Sequence, residues 1–464
     1  MRARPRPGQD SFSPRRRAPW RLRATRGPLG LLVALLLCAW TGAAVAAPPQ
    51  TPWAEAAARG KGGPGRFARE LERRGEILSR HGGRDPSAVL ALLGLLGELV
   101  GEIEPARLER FVGAVAKDAR RHPLVRSYAN YLAARLDESA GRLPAAARRL
   151  RAEGYLLDWQ IIGPFENANR VGESTRYEPE TAPFSADAQV FGKLAGEAIG
   201  WRAWDYESLP RGGYVGFDDL LRPADAAVGY ATTWVHVERD TPAAIHVGTG
   251  GPYALWVDGV EIGGGDAYRM PDPLQDTHGL ALRAGWNRIL VKVAVIEGMW
   301  GFYARLSAVD GAPIPGLKVL AEPPAGVAPA GTRSAASKGA AASVASLRRE
   351  LEARASGKGR GDAGLALVEF YRWVHPFDRD DKSASVKARE VDAKLATARS
   401  ALMLAILDPD PNGSRQALAA GASRAQKQRG GGPLHGQLLL ELAWRERSLG
   451  LDQRHDELLE AAHR

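Results

Sequence analysis

The chain has 464 residues, 45% of them hydrophobic and 25% charged, which is enough to bury several cores and to form about two to four domains. Its formal charge of +10 does not mark a nucleic-acid binder. Residues 1–27 hold nine Arg against one acid, whereas 47–464 carry 54 basic and 52 acidic side chains. The single cysteine, Cys38, excludes a disulfide framework and a cysteine-ligated metal site.

Taken in order, residues 1–46 read as a signal peptide. A basic stretch is followed by GPLGLLVALLLCAW, of signal-core length and short for a membrane span, and Ala44-Val45-Ala46 fits a small-x-small cleavage site. An uncleaved N-terminal anchor is the alternative. Cleavage would remove Cys38 and leave an exported chain without a thiol or a membrane span. Residues 47–65, rich in Ala, Gly and Pro, read as a flexible stalk.

From 66 to 153 the pattern is helical. Leu92, Leu95, Leu96 and Leu99 follow i, i+3, i+4, i+7 spacing, as do Leu108, Phe111, Val112 and Val115. Asp85-Pro86 and Glu104-Pro105 supply helix starts, and Pro123 and Pro144 mark two more. Short breaks between such helices imply stacked hairpins, with a plain bundle as the alternative.

At Tyr155 the period changes, and 154–318 reads as an antiparallel β-sandwich. YLLDWQIIGPFEN is a first strand broken by Gly163-Pro164, with short strands over 198–206 and 213–217. The centre runs through 230–237, 253–262 and 284–295 and closes with EGMWGFYARL. Ile289, Val291, Val293 and Val295 alternate with Leu290, Lys292 and Ala294, the pattern of a strand with one buried side. Asp258-Gly259 predicts a two-residue hairpin turn, because a type I′ turn needs positive φ twice. This segment is acidic, 21 acids against 13 bases, and holds seven of the 12 Trp. A Pro/Ala/Gly/Ser linker follows over 319–345, and helical patterning returns over 346–464, with breakers at 408–413 and 429–433. A helical array without a polar last face would suit the front part of a longer architecture.

The motifs WQIIGPFEN, WVDGVEI, AGWNRILVKV and EGMWGFYARL together resemble a family of bacterial exported proteins. Its members set tetratricopeptide-like repeats around a galactose-binding-like sandwich, and longer ones continue into a transglutaminase-like domain. The likeness covers 155–318 and extends to the helical flanks only in type. It implies a multidomain α and β protein: TPR-like helical hairpins flanking a jelly-roll-type sandwich. It lends no catalytic residue, since a transglutaminase-like centre needs a cysteine and none follows Cys38.

Candidate chemistry is sparse. Trp234, Trp256, Trp286, Trp300, Phe302, Tyr303, Tyr253 and Tyr268 could stack on sugar rings, although large aromatics usually fill the space between sheets. Tyr253, Tyr268 and Trp300 lie beside predicted loops and are the preferred ligand contacts. Asp218-Asp219, Asp205 with Glu207, and Asp266, Asp272 and Asp276 leave a structural calcium open, without EF-hand spacing. His236 and His246, on neighbouring strand candidates, could meet across a ladder as zinc ligands, without a supporting motif. Gly248-Thr249-Gly250-Gly251 lacks the Lys-Ser/Thr of a phosphate loop and reads as a turn. No catalytic residue, cofactor site or metal site is assigned. The expected protein is an exported, non-enzymatic scaffold or binding protein of the periplasm or cell surface. Its helices would hold protein or peptide partners, and its sandwich would serve as spacer or glycan-binding module. The alternatives are a carbohydrate-binding module or the non-catalytic front of a transglutaminase-like enzyme.

Overall fold

The structure, a computed structural model, describes residues 66–80, 83, 85–193, 197–324, 344–356, 361–374, 383–427 and 432–463. The expected leader over 1–46, the stalk over 47–65 and most of the linker lie outside these residues. The described part combines helices with antiparallel sheets. No described helix is long and apolar enough to cross a membrane.

The first helices are α1 (Arg66–Arg80), α2 (Leu95–Leu99), α3 (Pro105–Lys117), α4 (Pro123–Ser139) and α5 (Leu143–Ala152). Proline stands in the first turn of α3, α4 and α5, where its missing N–H would have no helical partner anyway. The leucine row at 92–99 does not make the single helix its spacing predicts. Asp85 caps Ser87 of a 3₁₀ turn over Pro86–Ala91, and Gly94 then adopts a left-handed φ of 69°. That turn re-aims the chain, yet Leu92, Leu95 and Leu99 stay buried because the new direction still presents them to the core.

The middle of the chain begins with β1 (Asp158–Glu166) and two short helices, α6 (Val171–Ser174) and α7 (Glu178–Thr181). Strands β2 (Gln189–Phe191), β3 (Ala198–Gly200), β4 (Arg202–Asp205) and β5 (Val215–Gly216) follow. The long strands are β6 (Ala227–Val237), β7 (Thr241–Thr249), β8 (Tyr253–Val257), β9 (Val260–Gly265), β10 (Asp276–Leu282), β11 (Gly285–Val295) and β12 (Gly301–Ala308). A short β13 (Lys318–Leu320) ends the set, so the sheet reaches two residues into the expected linker.

One sheet has the order β4-β1-β6-β11-β8-β9, with β13 pairing β6 beyond the end of β1. A facing sheet has the order β10-β7-β12-β5, β2 and β3 pair as a separate two-stranded ribbon, and all these pairs are antiparallel. Asp258 and Gly259, at φ 48° and 79°, turn β8 into β9 as expected. The inward residues Ile289, Val291, Val293 and Val295 share one core with Ile245, Val247, Ala304 and Leu306 of the facing sheet. Trp159 meets Phe302 edge-on across it, with centroids 5.0 Å apart.

Two expectations are corrected here. Gly163-Pro164 does not end the first strand. The pairing of β1 with β6 shifts register between Ile162 and Phe165, so the donor that proline lacks falls in a bulge where no ladder bond is required. Strand β11, in turn, is buried on both sides. Its second face, with Leu290 and Ala294, packs with Ile162, Phe165, Tyr230 and Trp256 beneath a layer that includes Tyr177, Val190 and Ile199. Lys292 lies under that layer and donates to the Thr175 carbonyl and to Glu180, 2.9 Å away. The loop-rich segment after β1 is thus a cover, and its one buried charge pair is the reason a lysine tolerates that position.

The remaining helices are α8 (Leu347–Ser356), α9 (Gly361–Val374), α10 (Ser383–Leu395), α11 (Ala398–Leu407), α12 (Pro411–Lys427), α13 (Pro433–Ser448) and α14 (Asp452–His463), each packed on the next. Helix α9 serves two cores. Leu367, Phe370 and Val374 join the core that runs through the first helices and the sandwich, whereas Leu365 and Val368 join a second core formed with the later helices. The two helical regions touch: Arg354 pairs with Asp85 at 2.6 Å, and Trp373 meets Tyr128 edge-on.

The buried pair makes a test. Glu180→Ala strands the Lys292 ammonium and should cost about 3–5 kcal/mol, and adding Lys292→Met should restore most of that loss. Chemical denaturation of the single and double variants checks this, and a double variant no more stable than the single one would refute the assignment.

Candidate functional site

A row on α4 starts the site. Tyr128, Tyr131 and Arg135 stand at i, i+3 and i+7, and the row faces the rim of the sandwich rather than solvent. Between this row, α2 and the loops around 210–214, 270–272 and 299 lies a cavity of about 460 Å³. Tyr303 of β12 and Tyr214 complete an aromatic lining. Tyr131 and Tyr303 meet edge-on at 5.9 Å, and Tyr214 lies 5.3 Å from Tyr303.

Polar groups are spaced along the same wall. The Tyr128 hydroxyl donates to Asp272 at 3.1 Å, and the Tyr131 and Tyr303 hydroxyls are 3.4 Å apart. The Tyr214 hydroxyl is buried and has no hydrogen-bond partner among the described residues. Arg135 is held by Glu138 at 3.4 Å, and Arg211 by Asp219 at 2.6 Å. Glu138 also accepts the Gly212 N–H at 2.7 Å and the Tyr206 hydroxyl, which ties the 206–212 loop to α4. Asp272 is half-buried and lines the cavity. Burial pushes its carboxyl up to about 7, against the opposing hydrogen bond from Tyr128.

The glycine run explains how the loops reach this position. A Cβ on Gly248 would lie 1.8 Å from the Asp272 carbonyl oxygen, and one on Gly250 would lie 2.0 Å from that of Met299. Only Gly250-Gly251 make the expected connection, a bend toward β8, since Gly248 and Thr249 end β7 and pair with β12; Gly248 and Gly250 let two cavity-lining backbones approach. The sequence offers Asp272 as a loop acid and a possible calcium ligand, not as part of a tyrosine-lined cavity. Its signal in the sequence is its place between Pro271 and Pro273, which restrict the backbone on either side. The α4 tyrosines had no separate signal, because a helical aromatic row looks the same facing a core or a cavity.

The preferred residues lie elsewhere, and their expected placement beside open loops is corrected for two of them. Trp300 is fully buried and donates its indole N–H to the Val293 carbonyl at 3.0 Å, filling the space between the sheets. Tyr253 is also buried, with its hydroxyl 3.0 Å from Asp276 and 2.9 Å from His278. Tyr268 remains partly exposed and lines a second cavity, with the Arg170 guanidinium 5.1 Å from its ring centre.

His236 and His246 do not meet across a ladder, since they belong to different sheets. His236 packs on Trp286, while His246 sits between Thr277 and Ser307 with its pKa held well below the usual range by burial. The loop acids are likewise dispersed onto donors. Asp219 pairs with Arg211, Glu207 with Arg151, and Asp276 with Arg269 and Arg348, while Asp205 accepts the Ser208 N–H. Among the described residues no three metal-binding side chains gather.

No protein-family model matches the chain, and no curated protein matches it.

Asp272 gives the site a pH signature. Its folded pKa of about 7 lies above the ordinary 3.8, so the folded state holds this proton more tightly than the unfolded chain does. The stabilisation is complete below about pH 4 and is lost as pH rises through 7, by about 4 kcal/mol at about 1.4 kcal/mol per unit. Asp272→Asn should flatten that fall in urea midpoints measured from pH 4 to 8. An unchanged slope would remove Asp272 as its source.

Proposed function

We propose that this chain is an exported, non-catalytic binding protein of the periplasm or cell surface. Its helical flanks, read as TPR-like hairpins, hold protein or peptide partners. Its sandwich, read as galactose-binding-like, carries a glycan in the cleft closed by α4. The cleft's lining is the observation that supports the reading. Four tyrosines supply flat apolar faces and hydroxyls, and the two arginines on the wall are each neutralised by a carboxylate behind them. Such a wall offers N–H and O–H donors with Asp272 as its one carboxyl outside an ion pair, which suits a neutral polyhydroxylated ligand better than an anion.

The partner role of the flanks has its own support. Leu440 and Trp444, one turn apart on α13, are 43% and 52% exposed, and Leu449 and Leu451 beyond the helix are exposed too.

Titration with neutral oligosaccharides, followed by intrinsic fluorescence, tests the glycan reading; Trp373, 6.3 Å from the Tyr128 ring, is the expected reporter. Tyr131→Ala and Tyr303→Ala should each weaken binding at least about tenfold, equal to about 1.4 kcal/mol. If no neutral sugar perturbs the wild-type signal, the cleft is not a glycan site and the sandwich is a spacer.

A further inference from the structure

The cleft does not end at Met299. A second cavity of about 580 Å³ opens on the far side of Met270 and Met299, which line both spaces. Met270 is 47% exposed, while Met299 is partly exposed and packs against the main core. Methionine is unbranched and adaptable, so the exposed Met270 side of this shared wall can change rotamer.

The chemistry of the second cavity matches that of the first. Its arginines are again neutralised from behind, Arg170 by Glu173 at 2.9 Å and Arg269 by Asp276. Each of the four arginines that line the two cavities therefore has a carboxylate partner, Asp276 being shared with Arg348, and both compartments carry tyrosine. Tyr268 is fixed by its hydroxyl bond to Glu173, and Glu297 adds an exposed carboxylate acceptor. A ligand that crosses from one compartment to the other meets donors, acceptors and apolar faces in sequence, with Asp272 and Glu297 as carboxyl acceptors on the way.

We infer that the two cavities form one groove for a linear neutral oligosaccharide, with one end among the α4 tyrosines and the chain passing over Met270 and Met299 to Tyr268. This deepens the glycan reading of the cleft and rests on it. A single ring would use only the first compartment; additional rings would gain contacts in the second.

Calorimetric titration of the full chain with β-1,4-linked glucose and N-acetylglucosamine oligomers of one, two and four rings tests it. For the series that binds, affinity should rise at least tenfold from one ring to four. Tyr268→Ala should bring the four-ring affinity down to that of one ring, while Tyr268→Phe should keep most of the gain. Equal affinity for one and four rings, or a length gain that survives Tyr268→Ala, overturns the groove while leaving the cleft as a single-ring site. Failure of every oligomer to bind the wild-type chain overturns the glycan reading and the groove with it.

Discussion

The helices and the sandwich hold one another through a few polar bonds set inside a continuous apolar core. The Tyr128 hydroxyl donates to Asp272, and Glu138 accepts the Gly212 N–H. Both carboxylates sit where α4 crosses the loop rim, and leaving either donor unsatisfied would carry a desolvation penalty of about 1–3 kcal/mol. The surrounding core, which takes in Phe111, Val291 and Phe370 alike, keeps water from competing for these groups. Geometry at the rim is therefore set jointly by hydrogen bonding and burial, and neither helix nor sheet would hold the cavity shape alone.

That coupling also determines the electrostatics. An acid on an open loop would titrate in the usual carboxylate range. Enclosed by α4 and the rim, Asp272 keeps its proton far more readily. The arginines are treated in the opposite way, each neutralised by an acid on its own side of the wall. The outcome is a lining rich in directional donors whose cations are all paired, a combination suited to hydroxyl-bearing ligands.

Burial on both faces of β11 has a similar logic. A lysine in a strand normally marks the solvent side, and Lys292 reads that way in isolation. The 171–201 segment covers it and supplies Glu180 and a carbonyl as acceptors, so the charge is buried but not orphaned. The segment contributes little regular structure and yet completes the outer layer. Helix α9 works comparably on the other side of the molecule, turning one face to each of two cores.

Local pattern alone determined much of this protein. Apolar runs set off by turn residues placed β6, β8, β11 and β12, Asp258-Gly259 placed the hairpin, and prolines placed the starts of α3, α4 and α5, because each depends on backbone dihedrals or on near neighbours. The leucine row at 92–99 misled where one left-handed glycine outweighed periodicity. What only the tertiary structure decided is which surfaces meet. It sent Trp300 and Tyr253 inward, put His236 and His246 in separate sheets, and brought Tyr128, Tyr131, Asp272 and Tyr303 to one cavity. Those residues lie up to 175 positions apart, from 128 to 303, and a contact over that distance follows from how whole layers pack rather than from any local spacing.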